Sequence, residues 1–281
     1  MIPHNSPALN KLKFLWRSLM SQIYPEKKSS WLARELKEYK ILLRSIPSLT
    51  IAFFILSVVC ANLMANKELV SFKYCALDCG FVFSWIMFLC MDVICKRWGA
   101  KASIKVSLLA LAVNLLVCGS FALLAKAPGM WGAFYDTESI EVNNALNSTF
   151  GGAWYVVLGS ALAFIISSII NAVLNTAFGK MTKNNGFGAF AFRSYLSTII
   201  AQFADNFIFA LVVSKFFFGW TWTQVLICSA IGAVCELLCE VLFSGFGYKV
   251  VCNWEKENVG KEYFDFVQKN IEHNQKFAQN Q

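Results

Sequence analysis

The chain has 281 residues, 57% of them hydrophobic and 15% charged, with a formal net charge of +8 and a mean hydropathy of +0.52. So apolar a composition excludes an ordinary soluble domain and marks an integral membrane protein. The positive excess, given its placement along the chain, reflects membrane topology rather than nucleic-acid binding.

Residues 1–44 combine basic positions with Leu12, Leu15, Trp16, Leu19 and Ile23 at helical spacing. This suits a helix lying on the inner leaflet, with a docking site for a partner as the alternative. No small-residue cleavage motif follows the first long apolar run, so no cleavable signal peptide is expected. Six apolar stretches of about 20 residues then follow, each long enough to cross the hydrocarbon core as a helix. They run from Ser45 to Met64, Ala76 to Cys95, Ser103 to Leu124, Ala153 to Ala177, Gly188 to Val213 and Thr223 to Tyr248. The expected fold is therefore an all-α membrane bundle of six transmembrane helices over residues 45–248, followed by a polar tail, 249–281.

Lys and Arg orient the bundle, because positive residues accumulate on the cytoplasmic side. Nine precede the first span, the turn after span two carries Lys96, Arg97, Lys101 and Lys105, the turn after span four carries Lys180, Lys183 and Arg193, and the tail holds five. Only Lys67, Lys73, Lys126 and Lys215 fall on the other side, which places both termini in the cytoplasm. The long outer loop from Ala125 to Gly152 is read as a linker or as a lid over an entrance. The run from Phe216 to Trp222 reads as an interfacial aromatic belt. In the tail, Tyr263, Phe264, Val267 and Ile271 are spaced for a short amphipathic helix.

Ten cysteines lie mostly within spans and read as small core residues, and the Cys75/Cys79 pair lacks further metal ligands. Both histidines, His4 and His273, are in the tails. No metal site, catalytic constellation, phosphate loop or dinucleotide fingerprint is found, so no cofactor and no enzymatic activity are expected.

The informative residues are the charged and polar ones inside apolar stretches, because a charge at the bilayer centre costs about 2.5–3.5 kcal/mol on insertion scales. Asn62 and Lys67 close span one. Asp92 and Lys96, four apart, close span two in the order that favours an ion pair. Ser168, Asn171 and Asn175 share a face of span four, a pattern that also serves to join helices. Span five carries Arg193, Ser197, Thr198, Gln202, Asp205 and Asn206, and span six carries Glu236, Glu240 and Ser244. An Asp beside a Gln and near Phe209 suits a heteroaromatic ligand: the carboxylate accepts N–H bonds, the amide reads a carbonyl and the ring stacks. Several carboxylates in one apolar bundle require a raised pKa or a basic partner for at least one of them.

These residues also carry a family pattern. Asn62 with Lys67, Asp92 with Trp98-Gly99, the Arg193, Ser197, Gln202, Asp205 and Phe209 spacing, and Glu240 with Phe243 and Tyr248 resemble the six-span VUT family of vitamin uptake transporters, also described as queuosine precursor transporters. The chain departs from that pattern at Trp85 and Gly245 (commonly Pro), Lys96 (commonly Glu), Glu236 (commonly Lys), Asn171 (commonly Asp) and Tyr155 (frequently Arg), so it resembles a divergent member. The two reversed charges would form a Lys96–Glu236 pair, a gate, if the ends of spans two and six approach each other. The resemblance implies a multi-pass protein of the bacterial inner membrane that imports a 7-deazaguanine or queuine. Asp205 or Glu240 would take its amine edge, Gln202 and Asn62 its carbonyl and ring nitrogens, and Phe209 or Trp85 its flat face, with Asp92 and Arg193 completing the set. The alternative readings are the substrate-binding subunit of an energy-coupling vitamin transporter and an intramembrane enzyme. Small-molecule substrate and lipid bilayer are the expected partners, with a homo-oligomer or energy-coupling subunits as further ones.

Overall fold

A computed structural model of the protein describes residues 31–65, 67–127, 140–141, 144, 147–148, 154–182 and 186–279. The amphipathic stretch through Ile23, most of the loop between Ala125 and Gly152, and Lys183 lie outside the described residues.

The chain divides into two compact units. The smaller comprises, among described residues, 31–41 and 263–279. It holds most of two amphipathic helices, α1 (Trp31–Ser45) and α8 (Lys261–Gln279). Tyr263 is buried and the Lys37 ammonium lies 5.7 Å from the centre of the Phe266 ring. The tail helix expected from Tyr263, Phe264, Val267 and Ile271 is thus present, and it is longer than the apolar spacing alone indicated.

The larger unit, Leu42–Glu262, carries the apolar helices: α2 (Ser48–Met64), α3 (Phe81–Trp98), α4 (Ala100–Leu124), α5 (Trp154–Met181), α6 (Phe187–Phe209) and α7 (Trp222–Lys256). Between α2 and α3 the chain forms an antiparallel hairpin, β1 (Glu68–Phe72) with β2 (Cys75–Asp78), in which Val70 faces Leu77 and Phe72 faces Cys75. Pro47 precedes α2, where its missing N–H leaves no helix carbonyl unsatisfied. Gly99, at φ +87°, makes the sharp corner between α3 and α4 that an L side chain would strain. Thr221 and Gln224 form a reciprocal capping box at the start of α7. Gln224 also donates to the Lys73 carbonyl at 3.3 Å, tying the hairpin to that helix.

Helix α3 packs against α2, α4, α5 and α7, while α6 packs between α5 and α7. Polar side chains are gathered inside the bundle and apolar ones cover its outside: Asp92, Asn114, Ser167, Asn171, Asn175, Ser194, Thr198, Gln202 and Glu240 are fully or almost fully buried among apolar residues, whereas Leu116, Leu123, Met181, Leu242 and Phe246 are widely exposed. That is the arrangement a lipid environment favours.

Among the described residues, four stretches are by length and composition apolar enough to cross a membrane: α4, α5, the continuous run from Phe187 to Phe218, and α7. Leu32–Ser45 and Ser48–Met64 would add a fifth if they form one bent span. The six expected stretches are thus all helical, but two differ from the others. Helix α2 has 17 residues, about 25 Å of rise, and α3 carries Asp92, Lys96 and Arg97 in 18. The boundaries also moved. Span two starts at Phe81 because Ala76 to Asp78 are committed to the hairpin, and α7 continues past Tyr248 to Lys256.

Candidate functional site

Helix α6 passes into a π-helical segment, Ala210–Lys215, and a last turn, Phe216–Phe218, before Gly219 turns the chain in the left-handed conformation. Widened turns of this kind recur at functional sites. Here the widened turn presses against α5: a Cβ on Gly159 would lie 2.4 Å from Val213 Cγ2, so only glycine admits the approach. Ala210, Val213 and Ser214 of this segment line a cavity of about 380 Å³ at the hairpin end of the bundle.

The walls of the cavity come from α2 (Ala61, Asn62), the hairpin (Glu68, Asp78), α3 (Ser84), α5 (Tyr155, Ser160), α6 (Asp205, Asn206, Phe209) and α7 (Ser229, Glu236), with Phe218 and Trp220 nearby. Its lining holds four carboxyl groups and, among the described residues, neither Lys nor Arg. Glu236 accepts from the Ser84 hydroxyl at 2.5 Å and from the Asn206 amide at 3.1 Å, and Asp205 accepts from Ser167 at 2.7 Å. Gly232 makes room for that Asn206 side chain, whose amide nitrogen would lie 3.2 Å from an added Cβ. Asp78, in the hairpin, accepts from the Phe81 N–H at 3.2 Å. Burial pushes its carboxyl up to about 6 against the lowering effect of hydrogen bonds from Gly80 and Phe81. Two buried lining atoms, Asn62 Oδ1 and Ser229 Oγ, have no hydrogen-bond partner.

A second polar cluster lies deeper. Glu240 is one helical turn from Glu236 along α7, and Asp92 is about 12 Å along α3 from Ser84. Asn171 donates to Asp92 Oδ1 at 2.7 Å. The Ser194 hydroxyl lies between Asp92 Oδ2 and Glu240 Oε1, 2.9 Å from the latter. The Thr198 hydroxyl lies between the same two oxygens at 3.2 and 3.3 Å. Gln202 and Asn175, both fully buried, have no partner at either amide atom.

Of the residues singled out in the sequence, Asn62, Asp205, Phe209 and Glu236 therefore meet at the cavity. Asp92 and Glu240 meet each other below it. Arg193 lies over the Phe190 ring, 5.8 Å from its centre, with Nε and Nη2 unpartnered, away from the cavity lining. Trp85 stacks on Phe243 at 4.5 Å and is also absent from that lining. The Lys96–Glu236 pair does not form: Ser84, which holds Glu236, is twelve residues and about 18 Å along α3 from Lys96. The Asp92 oxygens accept from Asn171, Ser194 and Thr198 of the neighbouring helices. Among the described residues no metal-binding group of His, Cys, Asp and Glu is found. Ala61 and Ala65 of α2 also line the cavity.

Sequence reasoning did not single out Asp78, Ser84 or Ser194. Asp78 was hidden by being counted in a span. The two serines offered no signal beyond their place on the faces of Asp92 and Thr198.

The family described as "Putative vitamin uptake transporter" matches residues 78–253. The chain belongs to this family. The match covers Asp92, Arg193, Gln202, Asp205, Phe209, Glu236 and Glu240 and begins after Asn62. No curated protein and no solved structure matches the chain. Membership together with the long apolar helices makes this a multi-pass membrane protein of a transporter family, in keeping with a non-enzymatic role.

Proposed function

We propose that this protein imports a small amine-bearing heteroaromatic compound, a queuosine precursor of the 7-deazaguanine class, across a bacterial inner membrane. The observation that carries the reading is the cavity: about 380 Å³, walled by Asp78, Asp205 and Glu236, faced by Phe209, Tyr155 and Trp220, and without a basic residue in its described lining. A 7-deazaguanine presents a ring N–H beside an exocyclic amine, which a carboxylate accepts together, a further ring N–H for the free Asn62 Oδ1, and a carbonyl for the Asn206 amide. Its flat face suits an aromatic wall. An aminomethyl substituent adds a cation that a carboxylate-lined cavity favours and an anionic vitamin would lack.

In this reading α2 to α7 are six spans with both termini in the cytoplasm. Lys96, Arg97, Lys101 and Lys105 then mark the inner side, and the hairpin and cavity mouth face outward. The short α2 and the charged α3 are tolerated because Asp92 faces the bundle interior rather than lipid.

Uptake of labelled 7-aminomethyl-7-deazaguanine by cells lacking their own synthesis and transport of the compound tests the proposal. Expression of the chain should restore uptake, and Asp205→Asn should reduce it. Equal uptake by the variant would remove Asp205 from the site, and no uptake of any deazaguanine would sink the substrate class.

A further inference from the structure

The Asp92–Glu240 cluster takes no part in lining the cavity, yet it places two carboxyl groups together at the centre of an apolar bundle. Asp92 Oδ2 and Glu240 Oε1 are each in contact with both the Ser194 and the Thr198 hydroxyl, giving four oxygen–oxygen contacts. Two hydroxyls supply only two hydrogens. With both carboxyls ionised, two of the four contacts would set lone pair against lone pair, and two like charges would share a desolvated site. One added proton removes the like-charge pair and fills a third contact: one carboxyl donates to a hydroxyl, which donates on to the other carboxyl.

Among the described residues no group of three or more His, Cys, Asp and Glu placed to hold a metal ion is found, whereas a proton needs only the two carboxyls and the hydroxyls that bridge them. Two polar atoms in the cluster still lack partners, Glu240 Oε2 and Asn171 Oδ1, both on fully buried residues. Charged and titratable groups around the pair are few. Arg193 from α6 acts on Asp92, Asp92 acts on Cys95 of its own helix, and Glu240 faces Asp92 from α7, while α5 contributes Asn171. Arg193 makes no ion pair with either carboxylate by distance.

The cluster is joined to the cavity by two short polar paths. On α7, Glu236 in the cavity wall is one turn from Glu240. On α6, Ser194, Thr198, Gln202 and Asp205 lie on one face at spacings of four, four and three. The Gln202 amide, which has no hydrogen-bond partner, stands on that face between the hydroxyls and the cavity carboxylate.

We infer that the Asp92–Glu240 pair, bridged by Ser194 and Thr198, is a proton-binding site that couples cargo movement to the proton gradient. The coupling rests on the transport reading above, whereas the proton site itself does not. A proton enters from the cavity side past Glu236, resides on the pair while the cargo occupies the cavity, and leaves toward the opposite side when the bundle reopens there. Cargo and proton thus move together, and one proton per cargo gives about ten-fold accumulation per unit of imposed pH gradient.

Two measurements test this. The first needs no cargo: infrared difference spectra of the purified full chain near neutral pH should show the C=O stretch of a protonated carboxylic acid. That band should weaken in both Asp92→Asn and Glu240→Gln, and bands unchanged in both variants would overturn the proton site. The second uses proteoliposomes with 7-aminomethyl-7-deazaguanine as probe. Wild type should exchange the probe without a gradient and accumulate it about ten-fold under one pH unit. In Asp92→Asn and Glu240→Gln, exchange should persist while accumulation falls to equality. Exchange without accumulation in wild type overturns the coupling alone, whereas no exchange overturns the transport reading and the coupling with it. If Asp92→Asn does not fold, Glu240→Gln and Ser194→Ala, which removes one bridge and keeps both carboxyls, carry the same test.

Discussion

The cavity and the buried cluster are built from the same kinds of residue and differ in what is left open. In the cavity, Asp78, Asp205 and Glu236 each have protein hydrogen-bond partners and also border free volume with aromatic walls, so they can accept N–H donors from a ligand. One turn away along α7, Glu240 meets Asp92 of α3, and both are fully buried against hydroxyls and outside the cavity lining. A carboxylate beside a void selects a molecule, and a carboxylate pair without one selects a proton. Chemical identity alone would have assigned all five to the same role, as the sequence reading nearly did when it offered Asp205 or Glu240 for the same amine.

The largest expected effect separates the two regions directly. Neutralising a cavity wall, by Asp205→Asn or Glu236→Gln, removes a charge-assisted hydrogen bond worth about 1.5–3 kcal/mol, so probe affinity should fall roughly 10- to 150-fold. Thermal-shift titration of the purified protein with the deazaguanine reads this. If instead Glu240→Gln gave the larger loss of affinity, the division of labour would be reversed.

Gly159→Ala tests whether the widened turn shapes the cavity. Its Cβ would lie 2.4 Å from Val213 Cγ2, and overpacking of this kind costs about 1–3 kcal/mol. The melting temperature should fall and affinity should fall with it, whereas a lowered melting point with unchanged affinity would detach the π-helical segment from binding.

The hairpin's Asp78 gives a smaller effect with a defined sign. Its carboxyl sits at about 6, so it is neutral below that pH and anionic above it. Affinity for an amine-bearing probe should therefore strengthen as pH rises through 6. The gain for one screened charge pair is about 0.2–1 kcal/mol, up to roughly five-fold. Comparing wild type with Asp78→Asn between pH 5 and 7.5 isolates the step, and an identical pH profile would exclude Asp78 as its source.

The smallest effect concerns the reversed charges. A double-mutant cycle on Lys96→Glu and Glu236→Lys should show coupling no greater than about 0.3–0.5 kcal/mol in unfolding free energy, as for distant sites. A larger coupling would restore the gate that the helix geometry separates.

Much of this architecture was legible because burial in lipid leaves a strong one-dimensional signal. Six apolar runs appear as six helices, and charged residues within them turn inward. The hairpin was not legible: Lys73-Tyr74 is no favoured tight-turn pair, and Leu77 and Asp78 read as the start of a span. Trp85 shows the same limit at the site. Its position on α3 is right for an aromatic wall, but Phe243 of α7 takes its face.

The sequence by itself determined the helical membrane class, the family pattern and the residues that had to avoid lipid, because each follows from composition and spacing along one chain. Only the tertiary structure decided which of them share a cavity and which share bridging hydroxyls. That choice depends on free volume and on partners from other helices: Ser84 and Asn206 around Glu236, Ser194 and Thr198 between Asp92 and Glu240. Neither is a property of any single segment.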